Sequence, residues 1–131
     1  MIKNFLIGVL VIFLLGNLCR LGLPWWILAP LAAIAGWIIP KSGYGAFLSG
    51  FTGGFLCWLI AAWLPDQSNS SLLSTKVGQL FLGASPVTLL LVTALMGGLI
   101  GAMGALTGHL AKDALTKPAG RRKYMQERRR R

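Results

Sequence analysis

The polar side chains that could carry out chemistry are few and far apart in this sequence. Asp66, Asp113 and Glu127 are its only acids, and His109 is its only histidine. A hydrolase needs a nucleophile beside a base, and a protein metal site needs several ligands close together. His109 precedes Asp113 by four residues, a spacing that allows one hydrogen bond on a helix surface. The sequence therefore predicts this polar pair, but no catalytic residue, no metal site and no cofactor.

Serine and threonine hydroxyls are the other polar groups whose positions allow a shared role. Four of them fall inside apolar segments and are candidates for a polar path: Ser49, Thr52, Thr93 and Thr107. Such a path would conduct a small ion or solute. A helical hydroxyl also bonds readily to a carbonyl of its own helix, which would remove it from the path. A homo-oligomeric channel or carrier is thus the alternative function, not the leading one.

The elements that must position these residues are membrane helices. Of the 131 residues 55% are hydrophobic and 12% are charged, and the mean hydropathy is +0.67. An average soluble domain has about 25% charged residues. The composition therefore indicates an all-α, polytopic membrane protein.

Proline, glycine and polar residues divide the apolar sequence into four predicted membrane helices. Their expected bounds are residues 2–20, 24–39, 44–64 and 86–113. Pro65 and Asp66 are expected to end the third helix. Ser85 is expected to cap the fourth helix, with Pro86 in its first turn.

The segment between the third and fourth helices, residues 70–84, has an amphipathic pattern. Leu73, Val77 and Leu80 share one helical face, and Lys76 and Gln79 lie on another. This pattern is typical of a helix that lies in the membrane interface. A re-entrant helix is the alternative for this segment.

Small residues repeat every four positions along the third and fourth predicted helices. In lipid, small residues let two helix backbones approach closely, and the resulting contacts stabilise helix pairs. Gly50 and Gly54 form a short ladder on the third helix. The other predicted packing residues are Gly45, Ser49, Gly53, Cys57, Ala61, Ala94, Gly97, Gly98, Gly101, Gly104, Ala105 and Gly108.

These small residues cover more than one face of each helix, so a single contact between the two helices would not use all of them. We expect the remainder to contact a second copy of the chain or another membrane protein. The alternative is that every small residue serves the core of one small bundle.

The cations are concentrated on one side of the predicted membrane domain. Four crossings place both termini on the same side, which then holds eleven of the thirteen Lys and Arg residues. Since positively charged segments stay in the cytoplasm, both termini are predicted to be cytoplasmic. We divide the chain into a membrane domain, residues 1–115, and a basic tail, residues 116–131. The tail is expected to bind anionic lipid headgroups, and nucleic acid is not expected as a partner.

Two stretches of the chain resemble a known class of protein. The sequence LSTKVGQLFLGASPVTLLLVTALMGGLIGAMGALTG, together with GAFLSGFTGGFLCWLIAAW, is similar to uncharacterised small four-helix integral membrane proteins of bacteria. The resemblance covers most of the chain before the tail. It implies the helix count and a bacterial origin, and it implies no activity.

The leading hypothesis is a non-enzymatic protein of the bacterial inner membrane that acts by association. Its surroundings would be the lipid bilayer. Its glycine-rich helix faces would join it to copies of itself, or to a larger membrane complex as an accessory subunit.

Overall fold

The described part of the chain is helical apart from its turns. The structure, a computed structural model, describes residues 2–18, 22, 24–40 and 42–116. These ranges contain no strand, so the all-α prediction is confirmed for them. The predicted tail beyond Thr116 lies outside them. The elements are α1 (Ile2–Asn17), a short 3-10 helix (Trp25–Ile27), α2 (Leu28–Ile38), α3 (Gly43–Ser68), α4 (Leu72–Leu80) and α5 (Pro86–Thr116).

Four of these helices pack side by side. α3 contacts α1 and α5, and α5 also contacts α2, whereas α4 makes only small contacts with α3 and α5. Along α1 and α3 the residue numbers of facing residues increase in the same direction, so these two helices are parallel. Along α3 and α5 they increase in opposite directions, so these two helices are antiparallel. We call the end of the bundle where α1 begins and α5 ends the terminal end. The opposite end, where α1 ends and α4 lies, is the loop end.

The centre of the bundle is filled by small side chains. Ile12, Leu28 and Ser49 are the largest fully buried side chains among the described residues. Ile12 and Leu28 share the core with alanines, one of which is Ala105. Because so little side-chain volume separates the helices, their backbones approach closely.

Serine side chains cap α3 and α5. The Oγ atom of Ser42 accepts a hydrogen bond from the Gly45 N–H, and that of Ser85 accepts one from the Thr88 N–H, both at 3.2 Å. Pro86 is the first residue of α5, where its missing N–H breaks no helical bond. The predicted start of the fourth apolar helix at Pro86 is therefore confirmed.

The predicted end of the third helix at Pro65 is wrong, because α3 continues to Ser68. A proline removes only one helical hydrogen bond when it lies in the last turn. The turn beyond it is held by two other groups. The Asn69 N–H bonds to the Pro65 and Asp66 carbonyls, and the Ser71 hydroxyl donates to the Asp66 carboxylate at 2.8 Å.

The second predicted helix divides into the 3-10 helix and α2, which has 11 residues. Pro30 lies in the first turn of α2, where a backbone N–H has no helical acceptor, so proline fits there. α3 and α5 are long and apolar enough to span a membrane, whereas α1 and the stretch Trp25–Ile38 are shorter apolar helices.

The amphipathic segment forms α4, and its apolar face points away from the bundle. Leu73 and Leu80 are 65% and 83% exposed, while the buried residue of α4 is Gly78. In the turn that follows, Leu82 is fully exposed and has a φ of 56°. That left-handed conformation costs a leucine roughly 1–2 kcal/mol.

Candidate functional site

The most extensive contact between described helices is that of α3 with α5, and glycines of both helices form its centre. A Cβ atom at Gly50 or at Gly101 would overlap the carbonyl oxygen of the other residue, and one at Gly54 would overlap that of Gly97. The two backbones therefore touch with no side chain between them. In lipid, such contact stabilises a helix pair through dispersion forces. The shorter ladder of α3 is thus the one that faces α5.

Aromatic side chains of α3 close the flanks of this contact. The Trp58 side chain lies directly against Gly97, and a Cβ atom at Gly98 would lie 3.0 Å from the Phe51 ring. Ala94, one turn before Gly98, is fully buried. The α5 face is therefore covered from Ala94 to Gly101.

The longer ladder of α3 faces α1. Three successive residues of the ladder face three successive turns of α1. In each facing pair one residue is a glycine, and a Cβ atom added to it would lie 2.6–3.0 Å from the side chain of the other residue. The sequence analysis missed the α1 side, although its two glycines are eight residues apart and therefore lie on one helical face. The facing pairs are Gly8 with Ser49, Ile12 with Gly53, and Gly16 with Cys57.

The C-terminal small residues of α5 face α2, in a contact that the sequence analysis also missed. At each point a glycine meets a backbone carbonyl of the other helix. The signal was present, because residues 29, 33 and 36 are small and share one face of α2. The facing pairs are Gly104 with Ala29, Gly108 with Ala33, and Ala105 with Gly36.

Two of the predicted packing residues, Gly45 and Ala61, line cavities. A Cβ atom at Gly45 would have only the Ser42 Oγ within 4 Å, at 3.1 Å. Gly45 lines a cavity of about 470 Å³ at the terminal end. Ala61 lines a second cavity, of about 310 Å³, beside Trp25 and Trp58 at the loop end. These residues are the two ends of the longer ladder, beyond the stretch that α1 covers.

The small residues therefore form three helix contacts within the chain: α1 with α3, α3 with α5, and α2 with α5. Gly45 and Ala61 line cavities instead. The expected contact of the remaining small surface with a second copy or another membrane protein stays a prediction.

The four hydroxyl residues of the predicted path lie apart. Ser49 faces α1 and its hydroxyl donates to the carbonyl three residues earlier at 3.1 Å. Thr93 lines the loop-end cavity and Thr107 is exposed on α5. Their hydroxyls donate to carbonyls four residues earlier, at 2.9 and 2.7 Å. Thr52 is half-buried on α3. Within one chain these residues do not line a common passage.

The two residues of the predicted polar pair lie on the last turns of α5. His109 is 6% exposed, and its ring lies against the first turn of α3, with Cδ2 3.7 Å from the Cβ position of Gly43. Its buried Nδ1 atom has no hydrogen-bond partner. Asp113 is half-buried one turn further along α5. The expected hydrogen bond to Asp113 is therefore not made through Nδ1.

Groups that could bind a metal are dispersed over the described ranges, where no three His, Cys, Asp or Glu side chains come together. The residues at the helix contacts share small size rather than reactivity. Compared with known protein families, curated proteins and solved structures, the chain has no match.

Proposed function

We propose that this chain is a non-enzymatic protein of the bacterial inner membrane, with four membrane-inserted helices. The two long helices support a membrane location. In their most apolar 18-residue windows only 28% of the α3 residues and 33% of the α5 residues are buried. A core helix of a soluble protein would be mostly buried, and exposed apolar surface of this extent marks contact with lipid or another protein.

The distribution of charge supports the same location. Every charged residue in the described ranges lies near a helix end or on α4: Lys3, Asp66, Lys76, Lys112 and Asp113. The middle of each bundle helix is therefore free of charge within these ranges. Charge is costly in the hydrocarbon region of a bilayer, so this distribution fits a bilayer around the bundle.

Cytoplasmic termini are supported by the cations and the aromatic residues. Lys3 and Lys112 lie at the terminal end, and eight more Lys and Arg residues follow Thr116 in the sequence. The positive-inside rule assigns that end to the cytoplasm. Exposed Tyr44 at the terminal end and exposed Trp26 at the loop end fit two interfacial aromatic belts.

α4 is proposed to lie in the outer interface, with its exposed leucines in the lipid. We expect an environment-sensitive dye at Leu80→Cys to show blue-shifted emission and to be quenched by spin-labelled lipids. The same dye at Gln79→Cys, on the polar face of α4, is the matched control and is expected to report water. Both variants use a Cys19→Ser background, because Cys57 is 2% exposed. Equal emission and quenching at the two sites would contradict the interfacial placement.

We infer that the protein acts by association through the outward face of α5. Leu91, Leu95, Leu99 and Met103 recur every four residues there and are 46–66% exposed. Such a ridge can pack into the groove of another helix, and methionine adapts to irregular partners. This ridge is the observation that carries the proposal, since the glycine faces are occupied within the chain. The partner is a second copy or a larger membrane complex.

Native mass spectrometry of the full chain in lipid nanodiscs made directly from membranes tests this function. We expect particles heavier than one 14.1 kDa chain with lipid, either multiples of that mass or the chain with another protein. The double variant Leu95→Ala/Leu99→Ala should reduce these species. The matched control Leu6→Ala/Leu10→Ala, on the exposed face of α1, should not. A wild-type chain that occurs only singly would overturn the proposal.

A further inference from the structure

The cavity of about 470 Å³ at the terminal end lies between the first turns of α1 and α3. Its volume is within the range of small-molecule sites, roughly 300–1,000 Å³. It exists because the α3 ladder continues to Gly45 while the matching α1 contacts begin one step later, at Gly8 with Ser49. Space that a side chain at Gly45 would fill is therefore left open.

The walls of this cavity are mainly hydrocarbon. Ile2 and Phe5 of α1 and Leu48 of α3 line it, together with the polar residues Asn4 and Ser42 near the helix ends. A site with apolar walls and polar residues at one end suits a molecule that has a hydrocarbon part and a polar end. A free inorganic anion would leave most of the walls uncovered.

The polar end of the cavity is electropositive. The Ser42 side chain and carbonyl accept hydrogen bonds from the N–H groups of Gly45 and Ala46. The N–H groups of Gly43 and Tyr44 precede any helical acceptor and lie at the positive end of the 26-residue α3 dipole. Lys3 is exposed in the first turn of α1, between the lining residues Ile2 and Asn4, and carries a positive charge on that turn. Neither α1 nor α3 has an acid in its first turn.

We infer that this cavity binds one anionic phospholipid from the cytoplasmic leaflet. The phosphate lies at the start of α3 within reach of Lys3, and an acyl chain lies over Gly45 against Phe5 and Leu48. Helix N-termini favour anions, and a lysine near the surface attracts anionic headgroups. The inference depends on the membrane location proposed above, because only a membrane-embedded chain meets such a lipid laterally.

Native mass spectrometry of the full chain, released from vesicles of phosphatidylglycerol and phosphatidylcholine, tests this inference. We expect wild type to retain one phosphatidylglycerol in preference to phosphatidylcholine by about fivefold, the effect of one lysine near the surface. Gly45→Leu should lose the bound lipid, because its side chain occupies the part of the cavity where the acyl chain is proposed to lie. Ala61→Leu, whose side chain extends into the loop-end cavity, is the matched control and should keep the lipid. Lys3→Gln, at an exposed position, should keep a lipid but show a weaker headgroup preference than wild type.

Equal retention of the two lipids by wild type would overturn the inference, as would retention by correctly folded Gly45→Leu equal to wild type. Should Gly45→Leu fail to fold, the headgroup preference of Lys3→Gln decides: an unchanged preference sinks the inference. Loss of the lipid on adding inorganic phosphate would assign the site to free phosphate instead. A chain that does not enter vesicles at all would refute the membrane location itself, which is a distinguishable result.

Discussion

Gly101→Leu is expected to separate α3 from α5 and to unfold the bundle. A Cβ atom at this position already overlaps the Gly50 carbonyl oxygen, and it would lie 3.2 Å from the Gly54 Cα. Both obstacles are backbone, so no rotation of a side chain can make room. Overpacking typically costs about 1–3 kcal/mol, and a leucine driven against a helix backbone should reach or exceed about 3 kcal/mol. We expect the chain to lose most of its folded population in mild detergent.

The measurement is unfolding by increasing sodium dodecyl sulfate, followed by tryptophan emission, because Trp58 lies against the same contact at Gly97. Ala114→Leu places the same side chain at an exposed position of α5 and should unfold like wild type. A Gly101→Leu chain as stable as that control would mean that α3 and α5 are not in backbone contact.

The sequence indicates which face of a helix makes a close contact more clearly than it indicates which helix lies on that face. Spacing of small residues indicates which face permits a close approach, and this was visible on α3 and α5. Two ladders offset by one residue on α3, through Gly53 and Gly54, lie about 100° apart and so require two neighbours. The sequence does not say which helices those are. That choice depends on helix direction and turn length, and here it gives α1 on one ladder and α5 on the other.

The packing partner of α2 could not be predicted, although residues 24–39 were expected to form one of the four membrane helices. α2 itself has 11 residues and rises about 16 Å. α2 contributes Gly36 and alanines to its contact with α5. Alanines are common in helices, so they indicate a close helix contact less clearly than a run of glycines does. α2 precedes α3 in the chain, yet it packs mainly on α5. There Gly108 leaves room for the backbone of Ala33 to lie directly against α5. Neighbouring position in the chain was therefore a poor guide to contact.

The cavity at Gly45 was also beyond sequence reasoning. Gly45 has the same spacing as Gly53 and was assigned the same packing role. It differs because α1 presents no small residue at that level, so a space remains where the ladder predicted a contact. A pattern of small residues shows where another helix could approach closely. Whether a helix does so depends on the three-dimensional course of that helix.

Three Gly→Ala substitutions are expected to rank by the atoms that the new Cβ meets. Gly108→Ala meets the Ala33 carbonyl oxygen and should destabilise the bundle by about 2 kcal/mol or more. Gly98→Ala meets the Phe51 ring at 3.0 Å and the Phe51 carbonyl oxygen at 3.2 Å, so both must shift by a few tenths of an ångström, and its effect should fall between those of the other two variants. Gly43→Ala meets nothing closer than 3.5 Å and should be neutral or stabilising.

All three substitutions add one methyl group to a glycine, so differences in their stability report the atoms that the methyl group contacts. Alanine is better than glycine in a helix by up to about 1 kcal/mol, and this gain applies to each variant before contacts are counted. Only backbone contact between α2 and α5 can reverse its sign at Gly108. Unfolding in sodium dodecyl sulfate gives the order directly. If Gly108→Ala were as stable as Gly43→Ala, α2 would not be seated on the α5 backbone, and the assignment of the small residues to the chain's own core would lose one of its three contacts.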